Sequence, residues 1–171
     1  MAGATLRASP GGARQRLLIH ATCLAIGGCG VLILGVPGSG KSDLALRLID
    51  QPGRGTGGKP MTARLVADDQ VAITRRDGRL IAAPPPRLAG LMEVRGLGIV
   101  RVEWEGEAEL GLAVRLADSG SIERLPERSG SHVLLDIALP EIAIDPYVAS
   151  APARVRAGVV EILRRTREIA R

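Results

Sequence analysis

The sequence has no phenylalanine and holds one tryptophan and one tyrosine, so aromatic side chains contribute little to its apolar content. Hydrophobic residues nevertheless make up 46% of the 171 residues. The core must therefore consist of valine, isoleucine, leucine and alanine, which suit buried strands and the helices that cover them. A chain of this length can bury one hydrophobic core, so we expect one domain.

Segments for export or membrane insertion are also missing. No apolar run reaches the roughly 20 residues that a membrane-spanning helix needs. The first 14 residues contain no apolar stretch of the kind found in secretory signals. We expect residues 1–14 to form a mobile tail and residues 15–171 to form the domain, with no membrane partner.

Lysine and cysteine are both scarce. Only Lys41 and Lys59 are lysines, so the net charge of +5 rests on arginine. Aromatic residues do not alternate with the arginines as they do in single-strand nucleic-acid sites, so we expect a solvated basic surface and no nucleic-acid partner. Cys23 and Cys29 have no partners at metal-site spacing, which predicts buried reduced thiols and a cytoplasmic location.

The hydrophobic pattern indicates an α/β fold with a central sheet, a strand-rich second half and a C-terminal helix. Apolar residues recur at helical spacing over 41–50 and 151–170, which predicts two helices. Short apolar or alternating runs predict the strands, and these lie at 17–26, 30–34, 64–67, 71–74, 92–103, 110–116, 133–138 and 142–144.

One segment fits the phosphate-binding pattern G-x-x-x-x-G-K-[ST] between a predicted strand and a predicted helix, which is the context that this motif requires. The glycines let successive backbone N–H groups converge on phosphate oxygens in front of the helix. Lys41 would reach the β- and γ-phosphates of ATP, and the Ser42 hydroxyl would bind Mg²⁺. The predicted nucleotide-binding residues are Gly35, Val36, Pro37, Gly38, Ser39, Gly40, Lys41 and Ser42.

Two adjacent acids, Asp68 and Asp69, follow the apolar run 65–67. In P-loop proteins an aspartate at a strand end helps to hold Mg²⁺, and a second carboxylate could act as a base on an incoming hydroxyl. An ordinary capped turn before the next strand is the alternative interpretation. The nearby P-loop favours catalysis, but the pattern does not say which aspartate is the base.

Residues 92–100, Met-Glu-Val-Arg-Gly-Leu-Gly-Ile-Val, resemble the signature of the HPr kinase/phosphorylases. Those enzymes use ATP to phosphorylate a serine of the small phosphocarrier protein HPr, and they remove that phosphate by phosphorolysis. His20, the acidic pair and the run 122–125 also match the family in chain order. The resemblance covers about residues 20–146, and it implies that the α/β fold is a P-loop-containing kinase domain.

The resemblance implies a role for each matching residue. Asp69 would be the general base for the acceptor serine, Asp68 would lie at the metal, and His20 would orient the acidic pair. A histidine in an apolar run can equally be structural.

Three further residues acquire roles by the same resemblance. Glu93 would complete the Mg²⁺ shell with Ser42. Arg95 and Arg124 would meet phosphoryl oxygens, although both could be surface residues in a chain with many arginines.

The resemblance also implies an HPr-type partner and a homo-oligomer, a hexamer in the family. Full-length members carry an additional N-terminal domain, so we expect a short form that contains the catalytic domain alone. Residues 53–61 look like an insertion, the segment 93–124 is shorter than in long members, and 145–150 is less basic than the stretch associated with dephosphorylation. We therefore expect kinase activity with weak or lost phosphorolysis. Two alternatives stay open: a P-loop kinase of a small metabolite, and a nucleotide-binding regulatory module without transfer.

Overall fold

The computed structural model describes residues 15–126, 130–169 and 171, so the predicted tail 1–14 lies outside the described residues. The described residues form eleven strands and two α-helices. In chain order these are β1 (Arg16–Ile19), β2 (Thr22–Ile26), β3 (Cys29–Leu34), α1 (Lys41–Asp50), β4 (Ala63–Ala67), β5 (Val71–Arg76), β6 (Arg79–Ala83), β7 (Leu91–Val94), β8 (Gly98–Arg101), β9 (Ala108–Leu116), β10 (Gly130–Leu134), β11 (Ile137–Ile144) and α2 (Ala151–Ile169).

Nine strands form one mixed sheet, and β7 and β8 form a separate hairpin. The main path is β1-β5-β6-β9-β3-β2-β4, and β11 joins it through a parallel pairing with β9 while β10 pairs with β11. Along one edge the long strand β9 pairs with β3. Along the other edge its first residues pair with β6 and its last residues pair with β11. The α/β fold predicted from the sequence is confirmed.

Both helices lie on one face of the sheet, where α1 contacts β2, β4 and β7, and α2 contacts β9, β11 and β3. Leu24 and Ile26 of β2 face this side and share a core with Leu44 and Leu48 of α1. Cys23, the neighbour of Leu24 in β2, packs on the opposite face of the sheet, because successive side chains of a strand point to opposite faces. The core is aliphatic, as the composition predicts.

The buried guanidinium of Arg156 joins the two helices. It lies on α2 and donates hydrogen bonds to the carbonyls of Leu48 and Gln51 at the end of α1, and to that of Met61. Carbonyls at a helix C-terminus lack partners within the helix, so a buried cation satisfies them. This contact fixes the helix whose N-terminus carries the P-loop.

Two predicted strands differ from the structure. The run 17–26 is divided at His20, because β1 pairs with β5 whereas β2 pairs with β3 and β4. The run 133–138 is not one strand, because Leu135 and Asp136 have positive φ angles of 47° and 63° and form the turn between β10 and β11. Such turns usually use Asn-Gly or Asp-Gly, and Leu-Asp carries no such signal.

The remaining predictions match more closely. Helix α1 occupies the predicted 41–50, and α2 begins where expected and extends to Ile169. A third predicted strand, 92–103, also differs from the structure, because it is a hairpin whose turn lies between Val94 and Gly98. Within residues 15–126 and 130–169, neither helix is long and apolar enough to cross a membrane.

Candidate active site

The sheet places several loops at one edge. β3, β9 and β11 are parallel neighbours, so the loops that follow them lie at the same end of the sheet. β4 also runs in the direction of β3, because two successive antiparallel pairings, β4 with β2 and β2 with β3, restore the direction. The P-loop after β3 and the acids after β4 are therefore close in space.

The P-loop has the backbone that its glycines allow. Gly38 and Gly40 have φ angles of 78° and 94°, in the region that favours glycine. A Cβ atom at Gly35 would lie 2.4 Å from the Ser39 Oγ atom, so this position also requires glycine. The Ser39 hydroxyl is buried and finds no hydrogen-bond partner among the described residues, which leaves a free donor in the loop.

Lys41 lies within this cradle and is only 6% exposed. Its Nζ donates hydrogen bonds to the carbonyls of Gly35 at 2.9 Å and Val36 at 3.1 Å. Burial lowers the pKa of Lys41, while the charges of Asp68 and Asp69 act in the opposite direction. The ammonium group of Lys41 and the glycine backbone of the loop fit a polyphosphate.

Asp68 is a buried junction between three elements and is 4% exposed. Its Oδ1 accepts hydrogen bonds from the hydroxyls of Thr22 on β2 and Ser42 on α1, each at 2.8 Å. Its Oδ2 accepts the backbone N–H of Glu93 on β7 at 3.3 Å. This carboxylate therefore orients the Ser42 hydroxyl.

Asp69 has a different environment. Its φ angle is 65°, a left-handed conformation that aspartate tolerates better than most residues. The His20 Nδ1 atom lies 3.0 Å from its Oδ1, and the two side chains are 46% and 66% exposed. The two adjacent acids therefore have different environments. Asp68 is buried and accepts three hydrogen bonds, whereas Asp69 is accessible to solvent and lies beside the imidazole of His20.

A cavity of about 670 Å³ unites most of the predicted site. It brings together ten of the predicted site residues from four segments of the chain, which are His20, Pro37, Gly38, Gly40, Lys41, Ser42, Asp68, Asp69, Glu93 and Arg95. Gly35, Val36 and Ser39 complete the loop without lining the cavity. Arg124 is exposed and is not among the lining residues, so its predicted contact with phosphoryl oxygens has no geometric support.

Sequence reasoning missed Thr22 and Tyr147, which both line the cavity. Thr22 is the only hydroxyl-bearing residue of an otherwise apolar buried strand, and that signal could have identified it. Tyr147 is the only tyrosine of the chain, and it follows the predicted strand that ends at Ile144.

The cavity offers few protein ligands for a metal ion, which suits a metal that is bound partly by the protein and partly by the phosphates of a substrate. The part of the chain that the structure describes holds no cluster of three or more His, Cys, Asp or Glu residues that could enclose an ion. Mg²⁺ typically uses one or two carboxylates together with waters and substrate phosphates. The Ser42 hydroxyl, the Asp68 carboxylate that it contacts and Glu93 on the wall of the same cavity fit that pattern.

Comparisons with known proteins identify the family of this chain. The model of the HPr Serine kinase C-terminal domain family matches residues 13–166. The HPr kinase/phosphorylase of Levilactobacillus brevis is 33% identical over 141 residues, which are 76% of this chain and 42% of that protein. HPr kinase/phosphorylase 1 of Oceanobacillus iheyensis is 33% identical over 155 residues, 84% of this chain and 46% of that protein.

The chain thus spans less than half the length of these curated relatives. The structure of the Hpr(Ser) kinase/phosphatase from Coxiella burnetii superimposes with a TM-score of 0.71 at 26% identity, over 89% of this chain and 93% of that chain. The signature hairpin, the P-loop and the match over residues 13–166 lead to one conclusion: the chain belongs to the family of HPr serine kinase C-terminal domains.

Proposed function

We propose that this chain is an ATP-dependent protein serine kinase that phosphorylates an HPr-type phosphocarrier protein. One observation carries the proposal: the accessible Asp69 carboxylate, held by His20, opens into the same cavity as Lys41 and the P-loop. An accessible carboxylate beside a phosphate cradle can receive a proton from a hydroxyl that enters from solvent. The names of the similar proteins, HPr kinase/phosphorylase and Hpr(Ser) kinase/phosphatase, support HPr as the acceptor.

The chemistry needs one base and a set of positive groups. The serine Oγ of the acceptor forms a bond to the γ-phosphorus of ATP, the bond from that phosphorus to the ADP oxygen breaks, and the serine proton passes to Asp69. Phosphoryl transfer has a loose transition state, so most of the catalysis comes from positioning and charge stabilisation. Lys41 stabilises the β- and γ-phosphates, and Arg95 at the cavity edge would meet the transferred group.

We assign the base to Asp69 and a positioning role to Asp68. The Asp68 carboxylate is buried and already accepts three hydrogen bonds, so an incoming hydroxyl cannot reach it easily. Ser42, Asp68 and Glu93 would surround Mg²⁺, which when bound neutralises charge on the β- and γ-phosphates. His20 holds Asp69, and Arg124 keeps a role only as a prediction by resemblance.

The reverse reaction is proposed to be weak. The segment 145–150, Asp-Pro-Tyr-Val-Ala-Ser, offers no cation for an attacking phosphate. Pyrophosphate release from phosphoserine-HPr and inorganic phosphate should therefore be much slower than phosphorylation. A rate near that of the forward reaction would contradict this expectation.

The wider setting also remains a proposal. Residues 15–171 would act as one catalytic domain in the cytoplasm, without a nucleic-acid or membrane partner, and as a homo-oligomer that is a hexamer by resemblance. A stable monomer in light scattering at working concentration would contradict the oligomer.

The central test follows transfer of label from γ-labelled ATP, with Mg²⁺, to purified HPr. Lys41→Met should abolish labelling of the HPr serine, because the cradle loses its ammonium group. Lys59→Met is the matched control, since Lys59 is the only other lysine and is exposed in the glycine-rich loop. Bound ATP without transfer would instead indicate a regulatory module, and labelling of a sugar or nucleoside without HPr would indicate a small-metabolite kinase.

A further inference from the structure

The sheet order indicates on which side of the P-loop the nucleoside of a bound ATP would lie. Across the sheet the strands run β4, β2, β3, β9 and β11, so the acids after β4 and the loop after β11 lie on opposite sides of the P-loop. A triphosphate in the P-loop that presents its γ-phosphate to Asp69 directs its other end away from the acids. The nucleoside therefore extends toward the loop after β11.

That loop carries Tyr147 on the cavity wall. The side chain is 72% exposed, although it lines the same cavity as Gly40 and Asp43. Its hydroxyl oxygen lies 3.6 Å from the position that a Cβ atom at Gly40 would occupy, so the ring reaches the end of the P-loop. Trp104, the only other aromatic residue, packs against Gly90 and does not line the cavity.

The loop is held in place by two other segments of the chain and by one hydrogen bond of its own. The Asp145 carboxylate accepts the Ser119 hydroxyl, the Ser119 backbone N–H at 3.2 Å and the Tyr147 backbone N–H at 2.9 Å. The hydrogen bond from the Ser119 side chain, followed by that from the Tyr147 backbone, lowers the pKa of Asp145. The guanidinium of Arg47 on α1 donates to the Pro146 carbonyl. The backbone of Tyr147 is thus fixed relative to the helix that begins at Lys41.

From this arrangement we propose that Tyr147 is the platform on which the nucleotide base stacks. The inference rests on the proposed nucleotide site and adds the subsite for the base. An aromatic ring on a fixed backbone can stack a base with little ordering cost. Every base has a π-face, so a stacking platform without other base contacts binds purine nucleotides and discriminates weakly between ATP and GTP.

The experiment compares two ligands that share a phosphate end. The Kd of ATP and the Kd of inorganic tripolyphosphate are measured by calorimetry with Mg²⁺ for the wild type, Tyr147→Ala and Tyr147→Phe. Tyr147→Ala should weaken ATP about tenfold, within the range known for base stacking, and leave tripolyphosphate unchanged. Tyr147→Phe should stay within about twofold of the wild type, because the ring face is retained. Val133→Ala, at an exposed residue on β10, is the control for loss of a surface side chain and should change neither Kd.

Three results would overturn the inference. An unchanged Kd of ATP in a folded Tyr147→Ala variant would show that Tyr147 does not stack the base. Equal weakening of ATP and tripolyphosphate binding would show that Tyr147 acts on the phosphates instead. A higher KM for HPr with unchanged ATP binding would assign Tyr147 to the acceptor instead. If the wild type bound neither ligand, the proposed nucleotide site itself would fail, and that result differs from all the others.

Discussion

Replacing Asp69 with asparagine separates catalysis from folding. Asparagine has the shape of aspartate and also tolerates the left-handed conformation, so the φ angle of 65° can be kept. The amide oxygen can still accept a hydrogen bond from His20, but the amide cannot take a proton from a serine. Asp69→Asn therefore removes the base and little else.

The expected effects on stability and on rate differ in size. His20 and Asp69 are both about half exposed, so their ion pair contributes at most about 1 kcal/mol to the free energy of unfolding. Loss of a general base typically lowers the rate about 10²- to 10⁴-fold, equivalent to roughly 3 to 5 kcal/mol in the barrier. A protein that stays folded should thus lose nearly all transfer.

The assay measures the initial rate of serine labelling on HPr at saturating ATP, alongside the midpoint of urea unfolding. Asp77→Asn is the matched control, because Asp77 is exposed, has a φ angle of 50° and lies in the β5–β6 turn. It should retain full activity. An undiminished rate in Asp69→Asn would refute the assignment and transfer the role of base to Asp68.

Three further predictions concern buried groups. Thr22→Val removes a hydroxyl that donates to Asp68 and should lower the free energy of unfolding by about 1 to 3 kcal/mol in urea. Thr22→Ser keeps the hydroxyl and loses only a buried methyl group, so it should cost about 1 kcal/mol or less and leave transfer activity unchanged. Arg156→Met leaves buried carbonyls at the end of α1 unpaired and should cost about 3 kcal/mol; an unchanged unfolding midpoint would show that water replaces the guanidinium. Burial raises the pKa of Cys29 to about 11 from 9.0, so iodoacetamide at pH 8 should modify this thiol only after unfolding, and rapid alkylation of the native protein would contradict the burial. Because the folded pKa of Cys29 is raised, its contribution to stability is complete below pH 9 and is lost as the pH rises toward 11.

The parts of the site that lie next to each other in the chain could be predicted from the sequence. The P-loop and the start of α1 at Lys41 follow from contiguous residues, because glycine positions determine the local backbone and apolar spacing determines the helix. The adjacent acids and the signature run 92–100 are local in the same sense, although the signature was predicted as part of one strand and forms a hairpin. Composition alone also determined that the core would be aliphatic.

The tertiary structure decided which distant residues meet. His20 reaches Asp69 because β1 ends at Ile19 and β2 starts at Thr22, which leaves the imidazole at the break between two strands that have different partners. Thr22 reaches Asp68 through the pairing of β2 with β4. The free energy of strand pairing is summed over many contacts between residues far apart in sequence, so no local pattern reveals it. For the same reason sequence reasoning missed Tyr147, which lines the cavity, while the role that the resemblance implies for Arg124 stays a prediction.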